Sequence, residues 1–164
     1  MTIFLIGMCY AGKTTIGKIL SEKLNMNWLD SRDIFISKFN MTENEYLLKY
    51  GKAKFQEAEE LSISQEFGDM VISLGGSAIY YTEQMQKIKN KHTVIWLDVS
   101  FEDICKRKSN ENWVRPIVFP DGITSFLELY NQRKELYKKF CRVCVGINGC
   151  DSPEDVVRNI LYIL

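Results

Sequence analysis

Apolar positions along this chain fall into short runs, and the spacing between them changes from run to run. "TIFLIG" at 2–7 is a continuous apolar stretch rich in branched residues, the pattern of a strand buried on both faces. "NWLD" at 27–30, "DMVISLGGS" at 69–77, "HTVIWLDV" at 92–99 and "RVCVGI" at 142–147 read as further strands. Between them the period lengthens. Ile16, Ile19, Leu20 and Leu24 share one face of a helix predicted over 13–24. Thr42 and Glu45 form a capping box for a helix through "YLLKY", which Gly51 breaks. "AKFQEAEELSISQEF" at 53–67 is another helix, and Ser100 with Asp103 caps the helix "FEDICKRK". "SFLELYNQRKELYKKF" is a long helix. "SPED" combines a serine cap, a proline at the first helical position and acids in the first turn, and it opens the closing helix.

Five short strands separated by helices predict an α/β fold: three layers, with a five-stranded parallel sheet between helices, in one domain over 1–164. Ligands of such sheets bind at the carboxyl ends of the strands. Gly7, Asp30, Gly75 and Gly76 all fall at predicted strand ends.

Charge narrows the partners. The 164 residues carry 21 basic and 21 acidic side chains, so no global basic field exists to attract nucleic acid or an anionic membrane. The longest apolar runs are about half of what a bilayer span needs. No basic segment precedes the first apolar run, so no signal peptide is expected. Five cysteines, an odd count, fit a reducing compartment, and a cytoplasmic monomer is expected. Cys141 and Cys144 form "CRVC", for which only Cys150 and the distant His92 could complete a zinc site. Thiols buried or half-buried beside a strand are expected instead.

The chemistry begins at Gly7. Gly7, Met8, Cys9, Tyr10, Ala11, Gly12, Lys13 and Thr14 spell G-x-x-x-x-G-K-T, followed by Thr15, between a strand and a helix. The glycines let main-chain N–H groups approach phosphate oxygens, and the helix aims its positive end at them. Lys13 can reach the β- and γ-phosphates of a nucleotide, and the Thr14 hydroxyl can ligate Mg²⁺. The Tyr10 amide would serve phosphate with its ring turned outward. An isolated glycine turn with a solvated lysine would not need this context. A GTPase would need N-K-x-D, and "NKHT" has Thr93 in place of the acid. A small ATP-dependent kinase remains.

With this loop, "LDSRD", "SLGGSAI", "VRPIV" and "NQRKELY", the chain resembles the shikimate kinase family from Thr2 to Leu164. The resemblance implies a kinase using ATP and Mg²⁺ to phosphorylate a hydroxyl of shikimate, with a substrate-binding helical segment over 31–60 and a lid over 110–122. It implies that Asp30 holds the metal through water, with Thr14 on Mg²⁺; the other reading of Asp30 is the cap of a helix through "SRDIFI". The resemblance also implies that Gly75 and Gly76 offer amides to substrate, that Lys108 packs on adenine, that Arg115 closes with the lid onto phosphate, and that Arg133 pairs with the substrate carboxylate. Lys13, Asp30 and Arg115 are thus the catalytic candidates.

The chain departs from the family at the acceptor side. The second acid of D-x-D is Arg32, with Asp33 one residue on. A carboxylate-binding arginine is Gln56, the third glycine of G-G-G is Ser77, and the proline of R-x-P-L-Y is Glu135. Arg32 could restore the missing positive charge from a neighbouring position. Two acceptors stay open, shikimate and a related cyclic polyol or sugar. A nucleotide-binding protein without kinase activity is the alternative class. Asp98 could mimic a metal-binding acid at the end of "VIWLD", and Glu59 either orients a substrate-binding side chain or lies on a solvated helix face.

Overall fold

A computed structural model describes residues 2–110 and 117–164. Five strands, β1 (Ile3–Ile6), β2 (Asn27–Asp30), β3 (Met70–Ser73), β4 (Thr93–Val99) and β5 (Val143–Ile147), form one sheet in the order β2-β3-β1-β4-β5. Every pairing is parallel. Parallel strands need long crossovers, and helices α1 (Lys13–Leu24), α3 (Glu43–Ile63), α4 (Thr82–Lys91), α5 (Phe101–Asn110), α6 (Phe126–Phe140) and α7 (Pro153–Ile163) lie in the segments between and after them. Ile3, Phe4, Leu5, Val71, Ile72, Val94 and Ile95 are wholly enclosed, as expected for central strands covered on both faces.

The strand ends and caps follow the sequence. Thr42 with Glu45, and Ser125 with Glu128, form reciprocal capping boxes, and Ser152 accepts from the Asp155 amide before Pro153. Gly51 has φ 81° and ψ 172°, which interrupts α3 where the break was expected. The helix through "SRDIFI" is present, and one further helix was not expected. Asp30 caps α2 (Ser31–Phe39) directly after β2. Helix α4 occupies a stretch with no expected element; it buries Met85 and Ile88 on an otherwise polar segment.

Helices α2 and α3 pack as a pair at the sheet's carboxyl end. Phe35, Phe55 and Ala58 form a small separate core there, with Val118 packed against it. Of the expected lid over 110–122, residues 110 and 117–122 are described, and Asp121 reaches Lys52 of α3 at 2.6 Å. Arg115 lies outside the described residues. No described helix is long and apolar enough to cross a membrane. No cysteine forms a disulfide; Cys9, Cys105 and Cys141 are half-buried and Cys150 is exposed, and Cys144, on β5, is exposed where a buried or half-buried thiol was expected.

Candidate active site

A cavity of about 330 Å³ opens where β1, β2 and β3 end. Cys9, Tyr10, Gly12, Lys13, Thr14 and Thr15 line one side. Gly7, Met8 and Ala11 lie beneath it, with the Met8 and Ala11 side chains in the core. The loop turns tightly. Gly7 (φ 147°) passes so close to β4 that a Cβ would stand 2.9 Å from the Leu97 carbonyl oxygen. Tyr10 takes a left-handed φ of 67°, which costs a non-glycine residue of the order of 1–2 kcal/mol. Its ring is not turned outward. Only 6% of Tyr10 is exposed, and its burial in the core offsets the strained backbone. Lys13 Nζ donates to the Gly7 and Met8 carbonyls at 2.8 and 2.7 Å, which holds the ammonium against the loop. Beneath it, Trp28 Nε1 donates to Ser73 Oγ, which donates to the Lys13 carbonyl, so β2 and β3 fix the start of α1.

Asp30 ends β2 facing this loop. Thr14 Oγ1 donates to Asp30 Oδ2 at 2.9 Å, while Asp30 Oδ1 also accepts from the Arg32 amide as the cap of α2. The cap and the metal-facing position, distinct options in the sequence, coincide. Arg32 then grips the same carboxylate, Nε to Oδ1 and Nη2 to Oδ2, both at 3.0 Å. Burial alone would raise the Asp30 carboxyl; the hydrogen bonds and charge of Arg32, with Thr14, outweigh it and hold the group below the usual carboxylate range.

The far side is formed by Glu43, Glu59, Gly75, Gly76, Ser77 and Arg133 among others. Arg133, on α6, is 3% exposed; its guanidinium lies over the Tyr80 ring at 5.3 Å and close to Gly76. The Gly75 amide donates to Ser31 Oγ at 2.8 Å, so Gly76, not Gly75, carries the amide without a hydrogen bond to a described residue. Ser77 Oγ donates to Glu59 Oε1 and Tyr81 OH to Glu59 Oε2, each at 2.5 Å. Glu59 is therefore not on a solvated face. It is buried, and desolvation raises its carboxyl against those two hydrogen bonds.

Other sequence candidates fall away from the cavity. Asp33 is exposed on α2, and neither it nor Gln56 lines the cavity, because both sit about a quarter-turn from the inward faces of their helices. Lys108 extends over the Phe126 ring at 4.6 Å. The preceding Arg107 is the one that meets the loop, donating to the Tyr10 carbonyl at 3.2 Å. Asp98 pairs with Lys134 at 3.5 Å, away from the cavity. Arg107, Glu43, Ser31 and Tyr81 carried no local motif; a helical-face count on α5 would have favoured Arg107, three positions after the buried Ile104.

Comparison with known proteins agrees with this geometry. The family model described as shikimate kinase matches residues 10–164. A shikimate kinase of Enterococcus faecalis is 32% identical over 98% of this chain and 96% of its own length. One from Corynebacterium jeikeium is 32% identical over 96% of this chain and 84% of its own. The crystal structure of shikimate kinase from Aquifex aeolicus superimposes with a TM-score of 0.80 at 28% identity, covering 99% of this chain and 95% of that one. A phosphate loop facing a strand-end acid, carried on this strand order and matched over nearly its full length, establishes that the chain belongs to the shikimate kinase family.

Proposed function

We infer that this chain transfers the γ-phosphoryl group of ATP to a hydroxyl of shikimate, as a monomer of the cytoplasm. One observation carries the reading. A single cavity joins the phosphate loop and the Thr14–Asp30 pair to a buried arginine, Arg133, beside the Gly76 amide. The phosphates of a nucleotide and an anionic acceptor can meet in it.

Phosphoryl transfer asks the protein chiefly for position and charge. The loop amides and the positive end of α1 bind the phosphates. The Lys13 ammonium, released from two carbonyls, neutralises charge on the transferred group. Thr14 and Asp30 offer hard oxygen donors 2.9 Å apart, a set that suits Mg²⁺. Bound there, Mg²⁺ would neutralise phosphate charge. Arg133 takes the acceptor carboxylate, with Gly76 N–H alongside. Glu59 braces Ser77 and the glycine turn from below. Arg115, from the lid, adds a cation at closure, and Arg107 steadies the loop through Tyr10.

The reading is tested by following ADP release from ATP, Mg²⁺ and shikimate. Turnover that disappears in Lys13→Ala supports it. Turnover on a panel of cyclic polyols but not on shikimate moves the acceptor. ATP binding with no turnover on any of them favours a nucleotide-binding protein and overturns it.

A further inference from the structure

Arg32 stands in the cavity wall between the loop and the acceptor half. Its fork holds both oxygens of Asp30, and Nη2 also approaches Thr14 Oγ1 at 3.5 Å. It thus covers the two oxygen donors that suit a divalent cation. A bidentate arginine–carboxylate pair on a nearly buried acid is among the stronger polar contacts a protein makes. A divalent cation brought to Asp30, directly or through water, competes with Arg32 for the same carboxylate.

The arginine has a second seat within the same cavity. Glu43, at the start of α3, lines the acceptor half, is half-buried, and carries no hydrogen bond to a described residue. Its carboxyl couples electrostatically with Arg32 across the cavity. Gln56, where the family resemblance expects a carboxylate-binding arginine, does not line the cavity, so of the two carboxylate-binding arginines that the resemblance implies the acceptor half holds Arg133.

We propose that Arg32 is a displaceable counter-ion of Asp30, which a divalent metal with nucleotide drives off the carboxylate and into the acceptor half, where it meets the carboxylate of the second substrate. The acceptor part rests on the function inferred above. The device couples the two sites. Metal·nucleotide strengthens binding of the anionic acceptor, and the acceptor strengthens binding of the metal by the same factor. No chemical step is involved, only the exchange of one ion pair for another.

Binding experiments without turnover decide it. ADP affinity is measured by calorimetry in EDTA and across a Mg²⁺ series, for the parent and for Arg32→Gln and Arg32→Lys. In EDTA all three bind ADP within about twofold. With Mg²⁺, Arg32→Gln reaches its half-maximal effect at about tenfold lower metal, and Arg32→Lys, which lacks the fork, falls between. Shikimate binding is then measured with Mg²⁺·ADP and with ADP in EDTA. The parent binds shikimate more tightly with the metal, and Arg32→Gln loses that difference. An unchanged or higher Mg²⁺ midpoint in Arg32→Gln overturns the proposal, as does metal–shikimate coupling that survives the substitution. Shikimate that binds the parent under neither condition, with the metal shift present, leaves the counter-ion standing and defeats the inferred acceptor instead.

Discussion

Ser77 Oγ donates to Glu59 Oε1 at 2.5 Å, in the turn that follows β3. A hydroxyl therefore stands where the family resemblance expects a third glycine, and it answers a buried acid whose expected arginine neighbour is Gln56. The serine, which looks like a loss in the sequence, supplies a donor to that buried acid. Tyr81, burying its phenol on the other oxygen, completes the arrangement. Desolvation and the adjacent Glu59 push that phenol far above its ordinary range, so it remains a donor at every physiological pH.

Removing either donor leaves a buried carboxyl oxygen short of a partner. Tyr81→Phe and Ser77→Ala are each expected to destabilise the fold by about 1–3 kcal/mol, read from urea midpoints at constant m. Because the two donors share one carboxylate, the double variant should lose less than the sum of the singles. Strict additivity would show that the hydroxyls do not act through Glu59.

How far the sequence revealed this site depends on range. The phosphate loop is contiguous, so its spacing and its strand–helix setting disclose it directly. Asp30 is equally plain as the last residue of a short strand. What escaped is set by helix register and long-range contact. Phe55 and Glu59 are four apart and face inward together, whereas Gln56 turns off that face. Lys108 and Arg107 differ by the same rotation. Glu59 meets its donors only because α3 packs beside the turn after β3, 18 and 22 residues later. Helix α4 was hidden by its polarity, since only Met85 and Ile88 of it are buried.

Glu43 gives the stability a pH dependence. Burial first, and then the neighbouring Glu59, push its carboxyl up from 4.5 to about 8, against the pull of Arg32. The folded protein keeps this proton where the unfolded chain has released it. Its contribution is therefore whole below pH 4.5 and fades as pH rises towards about 8. Glu43→Gln should flatten the fall in Tm across that window relative to the parent. His92, shifted downward mainly by burial, acts with the opposite sign and is common to both proteins, so it cancels in the difference. Parallel Tm–pH curves for parent and variant would place Glu43 in ordinary solvent.

Lys13 separates catalysis from folding. Its ammonium contacts two loop carbonyls at the cavity wall. Lys13→Ala is expected to lower kcat by about a hundredfold or more, the loss seen when one preorganised donor leaves a site of developing charge. Its Tm should stay within a few degrees of the parent. A variant that keeps more than a tenth of the parent kcat would remove Lys13 from the phosphoryl path.

Gly76 tests the geometry of the acceptor half. A Cβ there would stand 2.8 Å from Arg133 Nη1, and 3.5 Å from the Cys9 amide nitrogen. The backbone contact is ordinary van der Waals distance, but the guanidinium must move. Nη1 is the far end of a long side chain, so Gly76→Ala should cost little stability, but the group that must shift is the guanidinium held at the Tyr80 ring and hydroxyl. A shift of an ångström at a positioning group costs as much as a hundredfold in rate. We expect kcat/KM for shikimate to fall by about tenfold to a hundredfold, with KM for ATP within about twofold of the parent. Equal losses towards both substrates would mean that the methyl acts through the phosphate loop beside Cys9 rather than through Arg133.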